Sequence, residues 1–233
     1  MEVAAAVETR RPIRETPAQR LLRETRAFFA ALTRVILLSA ILIPILLAAF
    51  LTVDLPIHSL DQFFSLPSVK PGNWLTMGLF IMSLAPLVAI LIARRFGGDE
   101  ASRVITASWG VAALLTFAEI SYLSPLLEDG DMPSVTFVVA FVGGAMVGQY
   151  VAAAVYDVIR GGPKWWRAPL LASLCGYAAH SIIYFSIAYW TAPAPWLNWM
   201  VEDFGLKALM AFAFLGVYWM LRKPLKPRGG FGG

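Results

Sequence analysis

The chain has 233 residues, of which 58% are hydrophobic and 15% charged, against about a quarter charged in an ordinary soluble domain. Its mean hydropathy of +0.67 and the grouping of its apolar residues into long runs argue against a water-soluble fold. The net charge is +4, but the basic residues fall between the apolar runs, so they speak for membrane topology and not for a nucleic-acid partner.

The first 30 residues carry six arginines and no short apolar core of their own, so no cleaved leader is expected. Within this stretch Thr16-Pro17-Ala18-Gln19 reads as a capping box with proline at the first helical position. Leu21, Leu22, Thr25, Phe28, Phe29 and Leu32 then recur at helical spacing. A basic amphipathic helix on the inner leaflet and a simple lead-in to the first span fit this pattern equally.

A helix needs about 20 apolar residues to cross a hydrocarbon core of about 30 Å. Spans are expected at about 35–53, 74–93, 104–123, 135–158, 169–190 and 196–220. The first two contain no charge; the third contains Glu119, the fourth Gln149, the fifth His180 and the sixth Glu202, Asp203 and Lys207. Trp74, Trp165, Trp166, Trp190, Trp196 and Trp199 fall at span ends, where amphipathic rings favour the interface. The expected fold is all-α with six transmembrane helices. It comprises a basic tail over 1–34, a helical domain over 35–221 and a flexible glycine-rich tail over 222–233.

Six spans place 17 of the 19 basic residues on one side. These lie in the N-terminal tail (Arg10 to Arg34), at Arg94, Arg95 and Arg103, at Arg160, Lys164 and Arg167, and in the C-terminal tail. The other loops hold Asp54, Asp61, Glu128, Asp129 and Asp131 with only Lys70. Both termini are therefore expected in the cytoplasm, and five or seven spans would break the pattern.

Ionisable groups at membrane depth are costly and normally face a cavity or a partner. Asp203 and Lys207 share a helix face and can neutralise each other, either as an internal ion pair or as part of a binding site. His180 reads as a packing residue or a proton-coupling group. Glu119 reads as a carboxylate snorkelling to the outer interface or a second coupling group. Gln149 can read a heterocycle's edge or bond a neighbouring helix. Ala140, Gly144, Gly148 and Ala152 put a small residue at every fourth position of span four, a close helix-packing stripe. No nucleotide loop, zinc-ligand cluster or nucleophile elbow is present, so no catalytic residue, metal or cofactor is expected. The single cysteine, Cys175, allows no intrachain disulfide.

From span four onward the chain resembles the VUT (vitamin uptake transporter) family and its YhhQ-type queuosine precursor transporter branch. The resemblance rests on Gly148-Gln149, on Arg160 followed by Trp165-Trp166 and Ala168-Pro169, on Gly176, on Ile187-Ala188 with Trp190, and on Asp203 and Lys207. Upstream, Arg94 and Phe96-Gly97 also fit. It implies an importer similar in fold to the substrate-binding (S) components of ECF transporters, carrying small planar heterocycles such as 7-deazaguanines. The implied setting is a bacterial inner membrane, and the implied partners are the lipid bilayer and a small-molecule substrate, with a homodimer or a membrane partner open. Substrate-binding residues are expected at Gln149, Tyr177, His180, Asp203 and Lys207. The sequence departs from the family pattern at Tyr177 and His180, which replace an Asn and an Asp. It departs again at Ala89-Ile90, which replaces Thr-Asp, and at Ala152, which replaces an Asp. These losses support a second expectation, a non-transporting membrane subunit that keeps the fold; a third is a binding component energised by an external ATPase module.

Overall fold

The computed structural model describes residues 16–123 and 133–227. Every regular element among them is helical: α1 (Pro17–Leu51), α2 (Met77–Met82), α3 (Leu84–Phe96), α4 (Gly98–Leu123), α5 (Val135–Ile159), α6 (Arg167–Tyr189) and α7 (Trp196–Leu221). Three short 3-10 turns, Asp61–Phe63, Pro67–Val69 and Pro71–Asn73, lie between α1 and α2. Six stretches are long and apolar enough to cross a bilayer, with α2 and α3 together forming the second. The protein is an all-α membrane protein with six transmembrane helices. Arg10, Arg11, Arg14, Glu128, Asp129, Asp131 and the glycine-rich end from Arg228 lie outside the described residues.

The chain divides into two units, Met1–Arg34 and Val35–Gly233. In the first, the capping box forms: the Gln19 amide donates to Thr16 Oγ1 at 3.3 Å and the Thr16 amide to Gln19 Oε1 at 3.0 Å. Leu21, Leu22, Phe28, Phe29 and Leu32 are exposed and fall on one arc of the helix. Arg20 pairs with Glu24 one turn on.

The second unit is organised inside out relative to a soluble protein. Leu114, Phe117, Val158 and Leu209 are about two-thirds exposed or more, while Gln149, His180, Ser181, Asp203 and Lys207 are buried. Exposed apolar side chains face lipid at no cost, whereas polar groups must find partners within the bundle. At the centre α5 lies against α3, α4 and α6, and α7 lies against α6.

The second span, expected as one helix from Trp74, instead begins at Met77 and breaks at Ser83. Thr76 caps it by accepting from the Leu79 amide. The break has its cause three residues on: Pro86 has no N–H for the Met82 carbonyl and its ring crowds that turn. At the other end of α3, Gly97 adopts φ +96°, a conformation that glycine reaches without a Cβ clash. The turn is pinned there by Asp157 of α5, whose Oδ1 accepts from the Gly98 amide at 2.9 Å.

The segment between α1 and α2 is ordered by specific bonds. Pro56 and Thr76 form an isolated bridge. Asp61 accepts from the Gly72 amide at 2.7 Å and contacts His58 Nδ1 at 3.0 Å. The Gly72 amide, and after it His58, hold the Asp61 carboxyl below its usual range. Trp74 and Trp199 fasten this segment to α7: Trp74 Nε1 donates to Glu202 at 3.1 Å, and Trp199 Nε1 to the Ser68 carbonyl at 2.9 Å. Basic side chains gather at the opposite end, where Arg94, Arg160 and Arg222 come together.

Candidate functional site

The site starts from how closely α5 and α6 approach. A Cβ added at Gly148 would stand 2.8 Å from the Gly176 carbonyl oxygen and 2.9 Å from His180 Cβ. A Cβ added at Gly176 would stand 2.6 Å from the Gly148 carbonyl oxygen and 2.8 Å from Ala152 Cβ. Only glycine fits at these positions, so the two backbones meet directly. His180 lies against this seam, its Cδ2 3.3 Å from where a Gly144 Cβ would be. Ala140 and Ala152, the remaining members of the small-residue stripe, are fully buried.

On α7, the spacing of Asp203 and Lys207 puts both on one face, and Lys207 Nζ meets Asp203 Oδ2 at 2.6 Å. Ser181 of α6 donates to the same oxygen at 2.5 Å and accepts from Lys207 at 3.4 Å. This three-centre arrangement spends Oδ2 twice and leaves Asp203 Oδ1 without a partner. Both side-chain atoms of Gln149 and both ring nitrogens of His180 are also buried without a hydrogen-bond partner. Buried polar atoms in folded proteins are nearly always paired. Five unpaired ones fall on α5, α6 and α7, and further ones lie on Ser39, Ser108 and Trp109.

Tyr177, unlike Gln149 and His180, has its side-chain polar atom bonded within the protein. Its hydroxyl donates to the Ser83 carbonyl at 2.7 Å, at the point where Pro86 breaks the second span. It thus ties α6 to that break. Ser83 and Ser181 were not singled out in the sequence, because serines in apolar spans usually bond their own helix, as Ser173 does to Pro169. Glu119 is half-exposed on α4, which packs on α3 and α5, and it is not brought to the cluster. Ala89, Ile90 and Ala152 are all fully buried, so the departures from the family pattern make the interior more apolar.

A separate cavity lies elsewhere in the bundle. A space of about 470 Å³ opens between α1, α4 and α5, lined by Leu46, Trp109, Thr116, Phe141 and Met146 among others, with no ionisable side chain. Its lining is apolar apart from the Thr106 and Thr116 hydroxyls and the Trp109 indole, whose Nε1 is buried without a partner, so it suits a largely apolar occupant. Among the described residues no group of three His, Cys, Asp or Glu side chains could hold a metal ion.

A polytopic α-helical membrane protein with an apolar exterior and an incompletely bonded polar interior is the class this geometry defines. Residues 76–221 match the family described as "Putative vitamin uptake transporter", and the chain belongs to that family. Such a family points away from an enzyme. One curated relative is the queuosine precursor transporter of Escherichia coli (strain K12), 27% identical over 187 residues that cover 75% of this chain and 85% of that protein. Another is the "Probable queuosine precursor transporter" of Haemophilus influenzae, 24% identical over 150 residues that cover 61% of this chain and 63% of that protein. No solved structure matches the chain.

Proposed function

We propose that this protein imports a small planar heterocycle of the queuosine-precursor class across a bacterial inner membrane, with both termini in the cytoplasm. The names of the relatives support the substrate class. The observation that supports a binding site is the set of unpaired buried atoms on Gln149, His180 and Asp203, the last of which pairs with Lys207. A primary amide offers both a donor and an acceptor in one plane. A carboxylate oxygen accepts, and an imidazole does either according to its tautomer. This set matches the edge of a lactam or amidine ring, which carries the same mixture. Tyr177 shapes the site from α6 while its hydroxyl holds Ser83. In this reading His180 is the cluster's candidate for coupling a proton to transport, since an imidazole exchanges one near neutrality in water, with Glu119 of α4 as a second candidate.

Uptake tests this reading. Cells lacking their own salvage carrier and expressing this chain should accumulate labelled 7-deazaguanines, and Gln149→Leu should abolish the gain. No accumulation by the parent chain would refute the substrate assignment. The interior residues Ala89, Ile90 and Ala152 favour one second reading, a membrane subunit that kept the fold without transport. Co-purification of a stoichiometric membrane partner, together with absent uptake, would support it.

A further inference from the structure

A second buried network stands between the polar cluster and the basic end of the bundle. Arg94 of α3 is 7% exposed. Its Nη1 donates to Tyr218 Oη at 2.8 Å and to Tyr156 Oη at 3.5 Å, and its Nη2 donates to the Arg222 carbonyl at 2.9 Å. The two tyrosine hydroxyls are 2.8 Å apart. Trp165, in the turn between α5 and α6, stacks on Tyr218 at 6.4 Å, and the Arg222 guanidinium covers Trp165 at 5.8 Å. One clasp therefore joins α3, α5, α7 and the turn before α6.

Helical register shows what the clasp stands beneath. Tyr156 follows Gln149 by seven residues, Tyr218 follows Lys207 by eleven, and Arg94 follows Ser83 by eleven. Seven and eleven residues return to within about 20° of the same face and advance about 10 and 16 Å. Three interior columns, one on each of α3, α5 and α7, thus run from the level of the cluster to the same group of side chains. Between the two levels α5 and α7 carry Ala153 and Ala211, both fully buried, while the bulkier Ile90 of α3 and Phe214 of α7 stand in the same columns.

We infer that Arg94, Tyr156 and Tyr218 form a gate, closed in this structure, between the Gln149–His180–Asp203–Lys207 cluster and the basic end of the bundle. The inference rests on the transport reading, which requires a way out past this level. The materials of the two contacts differ in the right sense. Backbone meets backbone at Gly148 and Gly176, so α5 and α6 move as one. At this end α7 meets α3 and α5 through the tips of side chains, whose bonds water can replace as they part. Opening then amounts to α7 swinging away from Arg94, the rocking of one helix group against another that alternating access needs.

Labelling of a buried reporter tests the gate without any substrate. In a Cys175→Ser background, Ala211→Cys places one thiol between Lys207 and Tyr218. A membrane-impermeant maleimide is applied to the basic side in vesicles of one orientation and to the opposite side in vesicles of the other. Arg94→Gln and, separately, Tyr218→Phe should speed labelling from the basic side at least tenfold and leave the rate from the opposite side unchanged. A second reporter, Leu79→Cys near the opposite end, should keep its rate in both variants. Unchanged labelling at position 211 would overturn the gate and make the clasp a fixed brace. Equal acceleration at both reporters would overturn it too, since it means general loosening. If Arg94→Gln fails to fold, Tyr218→Phe decides alone, because it removes one hydroxyl and keeps the ring. Absent heterocycle uptake by the parent chain would instead sink the transport reading and leave these rates interpretable.

Discussion

At mid-bundle, Gln149, His180 and Asp203 leave five side-chain atoms without protein partners. Two to three helical turns away, a guanidinium, two tyrosine hydroxyls and a main-chain carbonyl satisfy one another, with only Arg94 Nε left over. Both networks are buried in a protein surrounded by hydrocarbon, so both carry the same cost of removing polar groups from water. The difference lies in what each network recovers. A complete network fixes the elements that hold it, while an incomplete one leaves buried polar atoms whose partners must come from outside the protein.

The largest test of this contrast is Asp203→Ala, which strands the Lys207 ammonium. Stability measured by thermal unfolding in one detergent should fall by about 3–5 kcal/mol. Adding Lys207→Met should return most of it, and no recovery would mean that the pair is not what the site depends on. Next comes Gly148→Ala, whose methyl meets the Gly176 carbonyl. It should cost about 1–3 kcal/mol, whereas Gly110→Ala, with open space around it, should be neutral or gain up to about 1 kcal/mol. Equal effects at the two glycines would break the view of the α5–α6 seam as a fixed unit.

Gln149→Leu should change stability by no more than about 1 kcal/mol, in either direction, because it removes atoms that bond nothing in the protein. Uptake should nevertheless fall at least tenfold. A large loss of stability would show that Gln149 serves packing and would sharpen the site down to His180 and Asp203. The smallest effect concerns Asp61. Its folded carboxyl sits below the ordinary value of 3.8, so its contribution is fully present above that value and is lost as pH falls through the lowered one. The protection factor of the Gly72 amide, its exchange rate relative to an unstructured amide at the same pH, should therefore stay high at neutral pH and fall only in acid. Protection lost already at pH 6 would show that the Asp61 carboxylate is not what orders this segment.

Much of the plan is readable in the residues because it is local. Span number follows from the length of apolar runs against the thickness of a bilayer, the Thr16 box from a four-residue pattern, and the Asp203–Lys207 pair from helical spacing. Each of these needs only neighbours within one helix. The break at Ser83 was also within reach, since Pro86 sits three residues beyond it, but nothing local says that a tyrosine 94 positions away will bond the freed region.

The six-helix fold and the residue types able to line its interior were determined by the sequence alone. Tertiary structure decided which of them are spent and which are spare. Ser181 satisfies one oxygen of Asp203 from another helix, and the Tyr177 hydroxyl is spent on the Ser83 carbonyl. Arg94, one more basic residue at a span end in the sequence, becomes the centre of a clasp across three helices. The reason is physical: hydropathy and helical period act along the chain, whereas the pairing of a buried polar group depends on which faces the packed helices bring together.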